Sequence, residues 1–574
     1  MINLAIDGRD VQVAEGASVL EAAKAAGIHI PTLCYLEEVQ AIGACRVCLV
    51  EVQGNKNLQA SCTLPVYEGM VVTTNNERVR KARRFSVEML LSNHPFDCLA
   101  CARNLSCELQ KVAEELSVRE VTFTGEKSQA PIDDLSPSIR RDPNKCILCR
   151  RCVTVCQEVQ GVGALFLQGR GFESRVEPAF ETNLNDAVCS FCGQCTVVCP
   201  VGALTEKTNV DEVWEAISDP NKFVVVQDAP AVRAALGEEF GYPPGTLVTG
   251  KMLAAVRRLG FDRVFDTNFA ADLTIMEEGS ELIRRVKEGG TLPMITSCSP
   301  GWVKFAEHFY PEFIPNLSTC KSPHQMLGAL VKTYYAEKEG IDPANIIVVS
   351  VMPCTAKKFE CSRPEMCDSG YQDVDYVLTT RELARMIREA GIDFPNLPDE
   401  TYDHPLGEYT GAATIFGATG GVMEAALRTV YEILTGKALP DLDLTMVRGL
   451  EGVKEAVVPI EGIGDVKVAV AHGLGNARKL LDRIKKGEAA YHFIEVMACP
   501  GGCVSGGGQP VPASNTKRQL RASALYNEDK ALKHRKSHDN PAIKAIYEEY
   551  LKEPLGHRSH KLLHTKYTPR NNQY

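Results

Sequence analysis

Two closely similar runs of cysteines have the spacing of iron-sulfur ligands. Both have the form C-x2-C-x2-C-x3-C, in CILCRRCVTVC and in CSFCGQCTVVC. With this spacing three thiolates bind one [4Fe-4S] cluster, and the fourth thiolate binds a partner cluster. Zinc is the simpler alternative, but it does not account for eight thiols at a doubled spacing. The predicted ligands are Cys146, Cys149, Cys152 and Cys199 for one cluster, and Cys189, Cys192, Cys195 and Cys156 for the other.

A third group of thiols follows a β-β-α pattern at the N-terminus. Alternating apolar residues predict a hairpin that turns at Asp7 and Gly8, and Ser18 is placed to begin a helix. A thiolate-rich loop after such a unit is similar to the plant-type ferredoxin fold. We therefore predict a [2Fe-2S] cluster, with zinc as the alternative. Its predicted ligands are Cys34, Cys45, Cys48 and Cys62.

A fourth group combines one imidazole with three thiolates. HPFDCLACARNLSC has the spacing H-x3-C-x2-C-x5-C. On spacing alone, a zinc site of the Cys3His type remains open. The position between two predicted iron-sulfur modules favours a third [4Fe-4S] cluster, and four clusters in series would conduct electrons to a site of chemistry. The predicted ligands are His94, Cys98, Cys101 and Cys107.

The remaining seven cysteines are widely spaced in the C-terminal two thirds of the chain. Apolar β-branched runs alternate there with segments of helical periodicity, which predicts parallel α/β sheets. The predicted strands are residues 223–230, 292–297, 346–353, 466–473 and 492–498. Cys298, Cys354 and Cys499 follow three of these strands, with Cys503 shortly after. A buried structural cysteine is the ordinary explanation for each one alone, but together they indicate a shared site at the carboxyl ends of the strands.

Three segments around these cysteines carry a specific resemblance. TSCSPGW, MPCTAKKFE and EVMACPGGCVSGGGQP resemble the signature segments of the iron-only ([FeFe]) hydrogenases, and the order of the N-terminal modules is similar to their long clostridial form. The resemblance implies reversible formation of H2 from two protons and two electrons. It also implies an H-cluster, in which one cysteine joins a [4Fe-4S] cube to a two-iron centre that carries CO, cyanide and a bridging dithiolate.

The resemblance also implies roles for individual residues. Cys354, Cys499 and Cys503 match cube ligands, with Cys503 as the bridge to the two-iron centre. Lys357 matches a lysine that contacts a cyanide, as a cation that donates to an anionic ligand. Three apolar residues match the packing around the two-iron centre, namely Met352, Met497 and Phe416. Ordinary core packing explains these three residues equally well.

A proton route is predicted beside these ligands. Glu278, Glu281 and Arg285 lie at helical spacing in TIMEEGSELIRR, so they can share one face. On sequence alone this is an ordinary solvated charged face. The resemblance instead matches Glu281, Ser318, Glu278 and Cys298 to a relay between solvent and the two-iron centre.

Ser299 stands where the resemblance places the fourth cube ligand, directly after Cys298. Three arrangements remain open. In the first, Ser299 binds iron through oxygen, a harder ligand that changes the reduction potential of the cube. In the second, Cys298 becomes the ligand and leaves the proton relay to Ser299 or water. In the third, the cube is labile or absent. We expect a working site that Cys298 or Ser299 completes. Ala231 and His324 occupy positions where the family has hydrogen-bonding Ser and Gln near the two-iron ligands.

Charge and hydropathy exclude several classes of partner. The formal net charge of −10 argues against nucleic acid. No stretch approaches the roughly 18 apolar residues of a membrane helix, and the N-terminus does not resemble a signal peptide. These features predict a cytoplasmic protein, in which cysteines stay reduced and are available to metals.

The predicted architecture is multidomain α+β and α/β. It comprises a plant-type ferredoxin (β-grasp) domain, a small His/Cys3 cluster domain, a bacterial-type ferredoxin domain with two [4Fe-4S] clusters and a large α/β H-cluster domain with parallel sheets. The predicted boundaries are 1–78, 79–125, 126–208 and 209–574.

The expected electron partner is ferredoxin or a flavoprotein, alone or in an NAD(P)-linked complex. No nucleotide-binding fingerprint stands in a strand-turn-helix context in this chain, so a nicotinamide or flavin site would be on another chain. Maturation enzymes would have to insert the two-iron centre. The alternative function is that of a non-catalytic redox sensor or an iron-sulfur assembly relative. The serine at the ligand position 299 supports this alternative, whereas the presence of the relay residues argues against it.

Overall fold

The computed structural model describes residues 1–37 and 39–570. The chain begins with a hairpin whose turn lies at Asp7 and Gly8, both with positive φ, as the sequence predicts. Ser18 caps the first helix, because its Oγ accepts from the amide of Glu21 while the Glu21 carboxylate accepts from the amide of Ser18. The first elements are β1 (Ile2–Ile6), β2 (Arg9–Val13), α1 (Val19–Ala25), β3 (Leu49–Val52), β4 (Gln59–Ala60) and β5 (Met70–Thr73).

These five strands form one sheet in the order β2-β1-β5-β3-β4. Strands β1 and β5 are parallel, and the other pairs are antiparallel. Leu4 and Ile6 alternate with more exposed residues along β1 and pack with Val19 of α1 in one apolar core. The loop between α1 and β3 is thereby fixed beside the sheet.

Short helices and two-stranded ribbons follow between residues 77 and 206. The helices and strands are α2 (Glu77–Ser92), α3 (Glu108–Glu115), β6 (Ile139–Arg141), α4 (Arg151–Thr154), β7 (Phe166–Gln168), β8 (Arg175–Glu177), α5 (Gln194–Val198) and β9 (Leu204–Glu206). Strand β6 pairs with β9, and β7 pairs with β8, both antiparallel.

The two repeated cysteine runs fold into matching loops. Leu148 and Arg150 in the first run, and Phe191 and Gly193 in the second, have positive φ at equivalent positions. In each loop the first thiol accepts a hydrogen bond of 3.4 Å from the amide two residues later, at Leu148 and at Phe191. Left-handed residues curl the chain tightly, so each loop turns its three closely spaced thiols toward a common point.

Two four-stranded sheets form the core of the C-terminal region. Their strands are β10 (Phe223–Asp228), β11 (Arg263–Asp266), β12 (Met294–Ile295), β13 (Ile346–Met352), β14 (Tyr376–Thr379), β15 (Val453–Ile460), β16 (Gly464–His472) and β17 (Phe493–Met497). The first sheet has the order β11-β10-β13-β14 and is entirely parallel. The second, in the order β12-β17-β16-β15, is parallel except for the antiparallel pair β15 and β16.

The predicted parallel sheets are thus confirmed for five of the six strand pairings formed by eight strands. The prediction missed β11 and β14, which are only four residues long each. It also missed β15, which alternates buried and exposed residues as a half-exposed hairpin strand does. It also made β12 too long, since only Met294 and Ile295 pair with β17.

Helices cover both sheets. They are α6 (Val210–Ser218), α7 (Pro230–Arg233), α8 (Thr249–Leu259), α9 (Thr267–Glu288), α10 (Pro300–Phe309), α11 (Pro323–Leu330), α12 (Ala336–Glu339), α13 (Ala356–Cys361), α14 (Thr380–Glu389), α15 (Gly411–Thr414), α16 (Gly421–Thr435), α17 (Leu474–Lys485), α18 (Asn515–Ala531), α19 (Pro541–Ile546) and α20 (His557–Leu563). A π-type turn at residues 331–335 joins α11 to α12.

The helix α18 packs back onto α16 through buried charges. Asp529 of α18 accepts bonds of 3.0 and 2.9 Å from Arg428 of α16, and Arg535 also donates to it. Both Asp529 and Arg428 are fully buried, and such a charge is tolerated only when it is paired. Among the residues that the structure describes, no helix combines the length and apolar character needed to cross a membrane.

Candidate active site

The three cysteines that follow predicted strands meet in one cavity. Cys298 and Cys499 follow β12 and β17 of the second sheet, and Cys354 follows β13 of the first sheet. The cavity of about 830 Å³ is also lined by Ser299 and Cys503. Carboxyl ends of parallel strands are where open α/β sheets place their sites. The structure therefore brings together residues separated by more than 200 positions of sequence.

The thiols in this cavity are placed to bind metal. Burial raises the pKa of Cys503 to about 12, with the nearby Cys354 adding to the shift and Lys357 opposing it. Burial likewise raises the pKa of Cys499, together with Cys354 and other thiols. Thiolate is the form that binds iron, so a cation in the cavity is required to keep these groups ionised. Several soft sulfur donors around one cavity fit an iron-sulfur cluster.

Ser299 and Cys298 face different surroundings. The Oγ of Ser299 accepts a hydrogen bond of 3.3 Å from the amide of Ala498, the residue before Cys499. The Cys298 thiol is buried against Glu278, Lys357 and Cys503, and burial together with Glu278 raises its pKa. Ser299 thus lies on the side of the cube ligands, while Cys298 lies toward the predicted relay.

Lys357 is fixed by a buried charge network. Its Nζ donates to the Cys298 carbonyl at 3.1 Å and to Glu360 Oε2 at 2.8 Å. The same Glu360 oxygen accepts from Nε2 of His324 at 2.7 Å and from Ser322 at 2.9 Å. Burial opposes ionisation of Glu360, yet Lys357 and His324 hold its pKa at about 2. An ionised Glu360 therefore orients the lysine toward the cavity.

His324 is a neutral imidazole in this network. Burial, with help from Lys357, lowers its pKa to about 4. Because Nε2 donates to Glu360, Nδ1 is the acceptor for the Ser350 hydroxyl at 3.2 Å. His324 also lines the cavity, as the sequence predicts.

The three predicted apolar residues reach the cavity, but Ala231 does not. Met352, Met497 and Phe416 line it. Ala231 is fully buried but is absent from the lining, and its carbonyl accepts from Gln509 at 2.8 Å. The neighbours Ala229 and Pro230 take the lining position instead. Ala231 lacks the hydroxyl of a serine, so its side chain has no polar group to offer.

The relay residues are contiguous. Burial raises the pKa of Glu278 to about 8, while Ser318, which donates to it, acts in the opposite sense and Glu281 adds to the rise. Within the described residues, Oε2 of Glu278 has no hydrogen-bond partner. Arg285 Nη2 pairs with Glu281 Oε1 at 2.5 Å. A carboxyl that titrates near neutrality, with one free oxygen, is suited to accept and release a proton.

Sequence reasoning missed two residues at the outer end of the relay. The amide and hydroxyl of Thr319 donate to Glu281 Oε2 at 3.1 and 2.9 Å. Nδ1 of His564 lies 2.7 Å from the same hydroxyl. No motif marks either residue, and only the adjacency of Thr319 to Ser318 could have drawn attention to it.

Comparisons with known proteins agree with this geometry. A family model described as "Iron only hydrogenase large subunit, C-terminal domain" matches residues 222–507. The NADP-reducing hydrogenase subunit HndD of Solidesulfovibrio fructosivorans is 55% identical, with 99% of each chain covered. The chain belongs to the iron-only hydrogenases. Iron hydrogenase 1 of Clostridium pasteurianum is 43% identical, covering 99% of this chain and 100% of the relative.

A solved structure leads to the same family. A variant of the [FeFe]-hydrogenase HydA1 from Chlamydomonas reinhardtii is 46% identical, with a TM-score of 0.57 over 63% of this chain and 98% of that chain. The protein is therefore a hydrogenase with an H-cluster and iron-sulfur cofactors. The alternative of a sensor or assembly relative is not favoured, because hydrogenases match along the whole length.

Other family models match the remaining parts of this hydrogenase. They are the "2Fe-2S iron-sulfur cluster binding domain" at 1–77, the "NADH-ubiquinone oxidoreductase-G iron-sulfur binding region" at 83–122, the "NADH-quinone oxidoreductase subunit 3, ferredoxin-like domain" at 136–205 and the "Iron hydrogenase small subunit" at 515–570.

The structure brings the members of each N-terminal ligand set close together. Cys34, Cys45, Cys48 and Cys62 are all buried, and the thiols of Cys48 and Cys62 are 3.4 Å apart. His94 lines a cavity with Cys98, Cys101 and Cys107. Within the described chain, the buried Nδ1 of His94 has no hydrogen-bond partner, and burial lowers the pKa of the ring. A neutral imidazole with a free nitrogen fits a metal ligand.

The doubled cysteine runs exchange their fourth thiol. Cys199 joins the three close thiols of the first run around a cavity of about 420 Å³. Cys156 lies near enough to Cys189, Cys192 and Cys195 to affect their pKa values. This is the predicted pairing.

Two N-terminal ligand sets meet the same ferredoxin-type set. Gln40 donates to the Cys34 carbonyl at 2.6 Å and to the Cys149 carbonyl at 3.0 Å. On the other side, Arg103 donates to the Cys199 carbonyl at 3.0 Å. Cys149 and Cys199 belong to one predicted cluster. Both N-terminal ligand sets therefore lie beside the ferredoxin-type set of Cys149 and Cys199, an arrangement that suits two branches joining there rather than a single series.

Proposed function

We propose that H2 is formed and consumed in the cavity between the two sheets, with Cys354, Cys499, Cys503 and Ser299 holding the [4Fe-4S] cube and Cys503 bridging to the two-iron centre. The observation that carries the proposal is the convergence of strand-end thiols from both sheets on a cavity that also receives Lys357. When bound, the H-cluster supplies the redox-active metal at which protons and electrons combine.

The chain's own residues supply the proton path in this proposal. Cys298 exchanges a proton with the cavity, and Glu278, whose pKa is about 8, exchanges it with Cys298. The Ser318 hydroxyl donates to Glu278, and Arg285 fixes the outer carboxyl of the path, Glu281. A group with a pKa near the working pH is the most effective proton carrier.

In this proposal Lys357 and the apolar residues set the charge and the water content of the cavity. The ammonium, oriented by Glu360, stabilises an anionic cyanide ligand. Met352, Met497 and Phe416 exclude water from the two-iron centre. His324 positions Lys357 through Glu360.

The electron path comprises one [2Fe-2S] and three further [4Fe-4S] clusters, in domains bounded at 1–78, 79–125 and 126–208, and it leads to the catalytic domain at 209–574. Support comes from the ligand sets and from the sheet order of residues 1–73, which suits a β-grasp domain. Cys192 lines the active-site cavity, so the ferredoxin-type set that contains it is the last step. Electrons can therefore enter the protein at either of the two N-terminal clusters that lie beside the ferredoxin-type set.

The electron partner in this proposal is a flavoprotein in a nicotinamide-linked complex, with ferredoxin as the second candidate. Support comes from the 55% identity to a subunit of an NADP-reducing hydrogenase. A cytoplasmic location suits the many reduced thiols. Dedicated maturation enzymes would insert the two-iron centre.

Anaerobic infrared spectroscopy of the matured protein tests the proposal. We expect cyanide and carbonyl stretches that shift under H2, together with H2 evolution from a reduced dye. Cys503→Ser should abolish these bands, whereas Cys367→Ser, at an exposed thiol outside the cavity, should leave them unchanged. Absence of the bands in a host that matures another iron-only hydrogenase would refute the proposal.

A further inference from the structure

The C-terminal segment brings an imidazole to the outer end of the relay. The amide of Thr565 donates to the Thr319 carbonyl at 2.7 Å, and the amide of Lys321 donates to the Leu563 carbonyl at 2.8 Å. Residues 319–321 and 563–565 therefore run side by side as a short antiparallel bridge. His564 is held at its centre and is buried.

The Thr319 hydroxyl lies between two groups that can accept its proton. Glu281 Oε2 is 2.9 Å from Oγ1, and His564 Nδ1 is 2.7 Å from it. A hydroxyl has only one proton to donate. When the hydroxyl donates to His564, the imidazole is neutral; when it donates to Glu281, Nδ1 of His564 must carry a proton and donate to Oγ1.

We propose that His564 is a second proton donor and acceptor for Glu281, acting through the Thr319 hydroxyl. In the inward step the Nδ1–H bond of the imidazolium breaks and Oγ1 gains that proton. The original Oγ1–H bond breaks and Glu281 Oε2 gains its proton. One proton moves, no electron moves and Thr319 is regenerated. This inference rests on the proposed function, since it requires that Glu281 feed Glu278.

The surroundings of His564 suit a transient imidazolium. Nε2 lies 3.1 Å from Glu277 Oε2, and that carboxylate also accepts from Tyr547 at 2.5 Å and from the Leu555 amide at 2.8 Å. An oxygen that can accept a hydrogen bond therefore lies beside each ring nitrogen, so both nitrogens have a partner when both carry protons.

Further titratable and charged groups face His564 from the neighbouring elements. The Cys320 thiol is 4.0 Å from Nδ1. On the solvent side the exposed His560 ring stacks on His564, with centroids 4.8 Å apart. Arg284 and Arg285 of α9 are the nearby cations. His560 is the group of this set through which solvent protons can reach the pair, because its ring is exposed and stacks directly on His564.

Two variants test the proposal in the matured holoenzyme. His564→Ala removes the proton carrier, and Thr319→Val removes only the hydroxyl at nearly constant shape. We expect each substitution to reduce the rate of H2 evolution about tenfold. This effect is at or below the lower end of typical acid-base effects, because Glu281 can still exchange protons on the side that faces Arg285. Lys561→Ala, on the same helix but outside the contacts of His564, is the matched control and should keep the parental rate.

Chemical rescue separates proton transfer from a structural role. Free imidazole should restore the rate of His564→Ala but not of Thr319→Val. Across substituted imidazoles of similar size, rescue should vary with the pKa of the added base. In protein without the two-iron centre, the infrared ring bands of isotope-labelled histidine should shift on Thr319→Val, which reports the hydrogen bond independently of turnover.

The outcomes are distinct. Parental rates in both variants, or rescue that follows the size of the added molecule rather than its pKa, would overturn the role of His564. An inactive parent protein that lacks carbonyl bands would instead overturn the proposed function. Iron content and intact carbonyl bands in each variant establish that a lost rate is not a lost site.

Discussion

At the scale of single residues, burial turns Glu278 into a carrier that titrates in the physiological range. Its pKa is raised to about 8, so the carboxyl is neutral below that pH and ionised above it. Glu278→Gln keeps the shape and the neutral charge but cannot release a proton. We expect a loss of about a hundredfold or more in H2 evolution.

The pH profile gives a second check on the same residue. In the parent protein, H2 evolution should fall as the pH rises through about 8, because the proton-loaded form of Glu278 disappears. Glu288→Gln, at the exposed end of the same helix α9, is the control and should keep both rate and profile. A Glu278→Gln protein with parental turnover would exclude this residue from the relay.

Ser299 gives a residue-scale prediction about the cube. If its oxygen is the fourth ligand, Ser299→Cys introduces a softer thiolate and should raise the reduction potential of the cube, measured by electron paramagnetic resonance during redox titration. Ser299→Ala should then release iron or shift the potential. An unchanged signal and iron content in Ser299→Ala would show that another group completes the cube.

At the scale of elements, the helix α18 is attached to the catalytic region by buried ion pairs. Burial opposes ionisation of Asp529, yet Arg535 and Arg428 hold its pKa below the usual range. Asp529→Ala leaves Arg428 with only Glu424 and Arg535 with only Asp443 as carboxylate partners. We expect a loss of about 3–5 kcal/mol in the free energy of unfolding, the usual effect of removing one member of a buried pair.

Denaturant titration followed by circular dichroism measures this loss. Because the folded-state pKa of Asp529 is lowered, its contribution is present at neutral pH and is lost as the pH falls through the folded-state pKa. Lys530→Ala removes a half-exposed neighbour of Asp443 and should change stability by less than about 1 kcal/mol. Equal effects of the two substitutions would contradict the buried-pair account.

At the scale of the whole molecule, the branched arrangement makes Gln40 a connection between the N-terminal sheet and the ferredoxin-type loops. Its amide touches the carbonyls of Cys34 and Cys149, and Thr154 donates to its oxygen. Gln40→Leu should slow the reduction of the [2Fe-2S] cluster by H2 and leave the other branch unaffected. Rapid-freeze paramagnetic resonance after H2 addition measures both.

The control for this prediction is Gln12→Leu, at an exposed position of the same sheet. It should reproduce the parental time course. Simultaneous slowing of both branches in Gln40→Leu would show that the substitution acts on the shared cluster and not on the connection.

The sequence by itself determined features that are local in the chain. The cysteine spacings fixed the ligand sets because one loop supplies three thiols of each ferredoxin-type site, and the Asp7-Gly8 turn and the Ser18 cap are likewise local. Apolar runs correctly located most strands of both C-terminal sheets, since buried strands must be continuously hydrophobic.

Only the tertiary structure decided how distant segments meet. It placed Ser299 beside Ala498, joined His564 to Thr319 and brought two N-terminal ligand sets to one cluster. Spacing carries no information about such contacts, because they depend on how sheets and helices pack over separations of up to hundreds of residues. The local chemistry of the metal ligands was readable from the chain, whereas the routes for protons and electrons depended on packing.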